Sequence, residues 1–201
     1  NSKEIKKNDI FFAIKGNNKN GNLYIQEAFK RGASLAIANT LKKKHKIIKV
    51  KDTLKFLTKS SSLLRNNTSS KIIAITGSCG KTSLKELVGK TLNKISNTTY
   101  SRKSFNNKYG VPLSLFNLKH NDEFGVFEIG MDKKGEIDYL SKIIKPEVGV
   151  ITNISYAHVK NFKNIKQIAL AKSEIIKNIK DGGSIVLNAD DKFYNLHKKI
   201  S

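Results

Sequence analysis

Cysteine is almost missing from this chain: among 201 residues there is one, Cys79. A single thiol excludes an internal disulfide and fits a reducing compartment, so the cytoplasm is the expected location. Tryptophan is absent, and proline and methionine number two and one. Long hydrophobic runs are missing too. The apolar stretches are short and broken by Lys or Asn, well under the ~20 residues that span a bilayer. The opening Asn1-Ser2-Lys3-Glu4 has no apolar signal-peptide core and no initiator Met, so the N-terminus is expected to be incomplete. Arginine is scarce as well, since only Arg31, Arg65 and Arg102 of the 38 basic residues are arginine. That scarcity weighs against the nucleic-acid reading that a net charge of +22 invites. Arg is the better residue for planar phosphate and base recognition, and the lysines follow no aromatic-interleaved patch. Lys, Ile and Asn share A/T-rich codons, and compositional drift explains the charge more simply. The charge can still attract an anionic substrate.

What is present is a globular composition, 38% hydrophobic and 27% charged, long enough for one large or two small domains. The most informative stretch runs from Lys71 to Ser83, K-I-I-A-I-T-G-S-C-G-K-T-S. Lys71–Ile75 reads as a strand buried on both faces of a parallel sheet. A tight turn, Thr76-Gly77-Ser78-Cys79-Gly80, then leads into a helix opening with Lys81-Thr82-Ser83. This is the arrangement of a phosphate cradle. Glycines admit backbone N–H groups to an anion, the helix N-terminus adds partial positive charge, Lys81 reaches the outer phosphates and Thr82 can hold Mg²⁺. Ile75 stands where the usual pattern has its first glycine, and Gly77 replaces it inside the turn. A nucleoside triphosphate site is expected here.

Elsewhere the pattern alternates. Strands are expected at 9–14, 34–38 and 46–50, with a helical face at Leu23, Ile25, Ala28 and Phe29. Asp52 caps a helix running to Leu64, and the polar link Asn66–Ser70 marks a domain boundary. Two domains follow from it, residues 1–68 and 69–201. Beyond the phosphate loop, the pattern predicts a helix to Ile95, strands at 98–100, 124–130, 148–153 and 184–188, and helices at 137–144 and 165–179. Residues 101–112 read as a polar loop. Strands and helices in this alternation give an α/β fold, a P-loop-type parallel sheet with helices on both faces. A small α/β domain precedes it. Ligands of such sheets sit at the strand C-terminal ends, where Thr82, Glu128 and 153–158 would cluster.

Three more residues attract chemical readings. Glu128 ends an apolar strand, where a carboxylate is costly unless paired or metal-bound; it is either a strand-end carboxylate or a Mg²⁺ ligand beside Thr82. His158 follows the third strand of the larger domain, and on spacing alone a lone His is more often structural. Lys172 lies among small apolar residues, and taken alone it is one lysine among many.

Taken together, these segments resemble a known family. Thr76-Gly77-x-x-Gly80-Lys81-Thr82, Asn106-Asn107-x-x-Gly110-Val111-Pro112-Leu113, Glu128-Ile129-Gly130-Met131 with Gly135-Glu136-Ile137, Thr152-Asn153-Ile154 with Ala157-His158, and Ala169-x-Ala171-Lys172-x-Glu174-Ile175 occur in the order found in Mur ligases. The Asn-Asn-x-x-Gly-x-Pro-Leu segment, the Gly-Glu-Ile segment and the Ala-His pair are similar to the type that adds D-alanyl-D-alanine to a UDP-linked muramoyl tripeptide. Ile10–Gly16 resembles that family's N-terminal segment, and Ser2 stands in the place of its Asp-Ser/Thr-Arg signature on the UDP side.

The resemblance implies an ATP-dependent amide ligase of peptidoglycan precursor synthesis, acting through an acyl phosphate and serving cell-wall growth, shape and division. Thr76, Gly77, Ser78, Cys79, Gly80, Lys81, Thr82 and Ser83 would bind ATP, with Lys81 as the charge clamp. Thr82 and Glu128 would hold one Mg²⁺. His158 and Lys172 would hold a second, Lys172 as an N-carboxylated side chain. Asn106, Asn107 and Ser2 would face substrate. The family's C-terminal domain and the rest of its central domain would lie beyond Ser201, so the chain is expected to be a fragment that is not competent for ligation, and a monomer. Another Mur or folylpolyglutamate-type amide ligase is the nearer alternative, and a basic NTP-dependent nucleic-acid-binding protein the remoter one.

Overall fold

A computed structural model describes residues 2–16, 19–41, 46–156 and 161–201. Its contacts divide the chain into two compact units, residues 1–60 and 61–201. The division falls inside one 14-residue helix, Thr53–Asn66, rather than in the polar link that follows it. The helix starts where the sequence places it, because Asp52 Oδ1 accepts the Leu54 and Lys55 amides at 2.9 and 3.0 Å.

The first unit holds three parallel strands in chain order, β1 (Ile10–Phe12), β2 (Leu35–Ala38) and β3 (Ile47–Lys49). Helix α1 (Ile25–Lys30) buries Ile25 and Ala28 against a small core containing Phe11, Ala36 and Ala38. The helix Thr53–Asn66 is α2.

The second unit is a five-stranded, wholly parallel sheet in the order β5-β6-β4-β7-β8. Its strands are β4 (Lys71–Thr76), β5 (Thr98–Tyr100), β6 (Phe124–Glu128), β7 (Val148–Ile151) and β8 (Ser184–Leu187). The helices are α3 (Lys81–Leu92), α4 (Gly110–Leu115), α5 (Glu136–Ile144), α6 (Ile165–Lys172) and α7 (Tyr194–Ile200). The strand carrying the phosphate loop, β4, lies in the middle. Its Ile72, Ala74 and Ile75 are fully buried, which accounts for its apolar, β-branched sequence. Register then fixes the site: Ile75 pairs with Glu128 and Thr76 with Ile151, so the ends of β6 and β7 flank the turn.

Three elements differ from the sequence pattern. Residues 110–115 form α4 although 110–112 read as loop, since Pro112 falls in the first turn, where its missing N–H costs nothing. The expected helix 165–179 is α-helical only to Lys172 and tightens into a 3₁₀ segment, Ser173–Asn178. The tightening accompanies a task for Glu174. Its carboxylate accepts the Gly135 amide at 2.8 Å and the Asp138 amide at 3.1 Å, capping the start of α5. The third, α7, follows Asp191, whose Oδ1 takes the Phe193 amide at 2.8 Å.

The opposite end of the sheet is held by Arg65, which is 1% exposed. Its guanidinium donates to the carbonyls of Ile144 (2.6 Å), Ser70 (3.2 Å) and Lys145 (2.8 Å), and to both Glu147 oxygens at 2.8 and 2.9 Å. Glu147 also accepts from Lys180 and from the Ile72 amide. This network ties the end of α2 to β4 and α5.

Candidate active site

The loop between β4 and α3 is shaped by two glycines. Gly77 has φ +146, and a Cβ there would lie 1.9 Å from Thr152 Oγ1. Gly80, at φ +79, is left-handed and precedes the first helical residue, Lys81. The segment leaving β7 clamps the loop from one side. Thr152 Oγ1 donates to the Cys79 carbonyl at 2.6 Å, and the Cys79 amide donates to Asn153 Oδ1 at 3.0 Å. Ser78 N donates to the Asn153 carbonyl at 2.9 Å, while the Ser155 amide donates to Ser78 Oγ, also at 2.9 Å. Asp191 holds that segment in turn by accepting the Ile154 amide at 2.6 Å.

Two lysines close on the same loop. Lys81 Nζ donates to the carbonyls of Gly77 (2.8 Å) and Ser78 (3.1 Å). Lys172 Nζ, on α6, donates to the Gly77 carbonyl at 2.9 Å and is 1% exposed. Burial, and then the neighbouring charge of Lys81, push the Lys172 amine from its ordinary 10.5 down to about 7. At neutral pH a substantial fraction is therefore the free base, the form able to react with carbon dioxide. Thr76 Oγ1, at the base of the turn, is fully buried and has no hydrogen-bond partner among the described residues.

On the other side of the loop sits Glu128, 1% exposed at the end of β6. Thr82 Oγ1 donates to its Oε2 at 2.7 Å, and Asn106 Nδ2 to its Oε1 at 2.6 Å. These are neutral donors to an acidic group, and they leave its charge available to a cation. The donors present, one hydroxyl and one carboxylate, suit a hard ion such as Mg²⁺. Among the described residues no three His, Cys, Asp or Glu side chains gather into a ready cage.

The remaining expected residues are placed less directly. Ser83 is exposed on the first turn of α3. Asn107 Oδ1 accepts the Tyr109 and Gly110 amides, both at 3.0 Å, so its side chain caps the start of α4. Ser2, in the first unit, is buried and donates to Glu27 Oε2 at 2.9 Å. His158 lies outside the described residues. Sequence reasoning missed the supports: Asp191 beneath the β7 segment, Glu174 on α5, and Lys85, whose fully buried ammonium lies behind Thr82 on α3. The acidic pair Asp190-Asp191 after a strand was the one visible hint.

Comparison with known proteins identifies the chain's relatives. Residues 75–201 match the family model described as the Mur ligase middle domain. A UDP-N-acetylmuramoyl-tripeptide–D-alanyl-D-alanine ligase from Rickettsia prowazekii is 40% identical over 198 residues, 97% of this chain and 44% of its own length. Crystal structure I of MurF from Acinetobacter baumannii superposes on the whole chain with a TM-score of 0.88 at 32% identity, and 45% of that chain is covered. MurF from Thermotoga maritima, solved in complex with ADP, gives 0.82 at 33% identity, covering 100% of this chain and 47% of that one. This chain thus spans somewhat under half of the curated relatives it matches. With the middle-domain match extending over well over half of its residues, the chain belongs to the Mur ligase family.

Proposed function

We propose that the protein carrying this chain is an ATP-dependent amide ligase that joins D-alanyl-D-alanine to a UDP-linked muramoyl tripeptide in peptidoglycan precursor synthesis. The observation that carries the reading is the Thr82–Glu128 contact of 2.7 Å beside a glycine loop cradled at the end of β4. It puts an oxygen pair suited to Mg²⁺ next to a phosphate cradle. The names of the relatives supply the substrates.

In this reading the loop amides and Lys81 take the ATP phosphates. Lys81 leaves its own loop carbonyls to do so, exchanging two neutral acceptors for an anion. Thr82 and Glu128 would hold one Mg²⁺, and Lys172, once N-carboxylated by carbon dioxide, would share a second with His158. Cations held there would offset the repulsion between an anionic carboxylate and anionic ATP. The tripeptide carboxylate attacks the γ-phosphorus, and the bond to ADP breaks, giving an acyl phosphate. The D-alanyl-D-alanine amine then attacks the acyl carbon, loses a proton and expels phosphate. Asn106 steadies Glu128, and Asn107 shapes the adjoining loop through its α4 cap. Residues 1–68 belong to the UDP-substrate domain, with Ser2 near its signature. We place the reaction in the cytoplasm, where ATP is made; no helix among the described residues is long and apolar enough to cross a membrane.

The test is a substrate panel on the full-length protein. Turnover of ATP that requires both the UDP-linked tripeptide and D-alanyl-D-alanine is expected. Preference for a single amino acid, or for a folate acceptor, would move the assignment to another ligase of the family.

A further inference from the structure

Lys85 is a lysine with no exposed surface, one helical turn beyond Lys81 on α3. Burying an ammonium is costly unless it is fully hydrogen-bonded. Its partners are the Glu86 carboxylate (2.5 Å) and two main-chain carbonyls, Ser101 at 2.7 Å and Lys103 at 3.1 Å. Both carbonyls lie just beyond β5, in the stretch that leads to Asn106. Lys103 has φ +48, a left-handed conformation uncommon for a residue with a side chain. A buried charge therefore fixes a segment whose backbone would otherwise relax.

That segment converges on the metal-bearing end of the site. Ser101 Oγ accepts the Glu128 amide at 3.4 Å, Ser104 Oγ lies 3.4 Å from Thr82 Oγ1, and Asn106 holds Glu128 Oε1 at 2.6 Å. Because Thr82 and Lys85 sit three residues apart on one helix face, the lysine ties the helix bearing one metal ligand to the loop that orients the other. We propose that Lys85 is a positioning residue: it pins the main chain leaving β5 so that Asn106 and Ser104 keep Glu128 and Thr82 in register for a divalent cation. The proposal rests on reading the site as one for Mg²⁺ and ATP.

The test uses the full-length protein and Mn²⁺ as a spectroscopic stand-in, titrated by electron paramagnetic resonance in the presence of a non-hydrolysable ATP analogue. Lys85→Met should weaken Mn²⁺ binding about tenfold and slow ATP-dependent acyl-phosphate formation by about 10- to 100-fold, the range for groups that orient metal ligands. The KM for the UDP-linked substrate should stay within about twofold. In an Asn106→Ala background, adding Lys85→Met should cost less than it does alone, because part of the lysine's effect runs through Asn106. Unchanged Mn²⁺ affinity in folded Lys85→Met, or losses that simply add to those of Asn106→Ala, would overturn the proposal. If Lys85→Met does not fold, Lys85→Gln, which can still donate to one carbonyl, is read by the same criteria. Failure of both to fold would make Lys85 a scaffold residue and overturn the positioning role as well. A wild-type protein that binds no Mn²⁺ with the nucleotide would instead remove the underlying reading of the site.

Discussion

Lys81 and Lys172 place their side-chain nitrogens on one carbonyl oxygen, that of Gly77, at 2.8 and 2.9 Å. Residues from two different helices thus meet on one atom of the phosphate loop. Two full positive charges there repel each other, and burial adds to the cost for Lys172. Either a bound phosphate draws Lys81 away, or Lys172 gives up its proton.

Lys172 links the stability of the fold to pH. Its amine titrates at about 7 against an ordinary 10.5, so between those values the unfolded chain binds the extra proton. Stability should therefore rise with pH from about 7 to about 10.5, and Lys172→Met should flatten that rise in urea titrations. Carbamate formation needs the free base, so ¹³C NMR with labelled bicarbonate should show a carbamate carbon that fades as pH falls below about 7. Persistence of that signal in Lys172→Met would assign it to another amine.

Glu128→Gln keeps the shape of the side chain but removes the charge that the metal needs. Acyl-phosphate formation should fall by about 10²- to 10³-fold, the scale for losing one electrostatic stabiliser. Folding should be retained, since an amide oxygen still accepts from Thr82 or Asn106. Single-turnover kinetics with ³²P-labelled ATP measures the loss.

A methyl group at Gly77 would meet Thr152 Oγ1 at 1.9 Å while also occupying a φ of +146. Gly77→Ala should destabilise the second unit by about 2–4 kcal/mol, combining steric and backbone strain. Thr152→Gly added to it should recover part of that loss but not all, because the backbone strain stays. Denaturant titration of the single and double variants tests this.

Arg65 and Glu147 make a stability prediction at the far end of the sheet. Removing Arg65 leaves three carbonyls short of a donor and Glu147 without the Nη2 that bridges its two oxygens. Arg65→Leu should cost about 3–5 kcal/mol, the range for breaking a buried ion pair from one side. Burial pushes the Glu147 carboxyl up, but Lys180, the Ile72 amide and Arg65 together hold it below its usual range. Its contribution should therefore be present above the ordinary carboxylate pKa and disappear as acid protonates it, so acid unfolding of the variant should lose part of its steepness.

How far the sequence reveals this site depends on whether a residue's task is local. The phosphate loop was legible, because glycine placement, strand and helix all lie within a few residues. Glu128 was legible for a similar reason: a carboxylate ending an apolar strand is conspicuous. Lys172 stood out only through the family resemblance, since its contact with Gly77 spans 95 positions and its small apolar neighbours report burial but no partner. Asn107 was read only as facing substrate, and its capping of α4 became visible only in the folded chain. Pro112 read as part of a polar loop yet sits in the first turn of α4, where it is harmless. Lys85 was indistinguishable from its many exposed counterparts until the folded chain showed which carbonyls surround it.

The most direct measurement is hydroxylamine trapping on the full-length protein given ATP, Mg²⁺ and the UDP-linked tripeptide, with D-alanyl-D-alanine withheld. A hydroxamate of the tripeptide carboxylate is expected, formed by the wild type and lost in Lys81→Ala. ATP consumption with no hydroxamate, or a Lys81→Ala variant that forms it at the normal rate, would contradict the acyl-phosphate route.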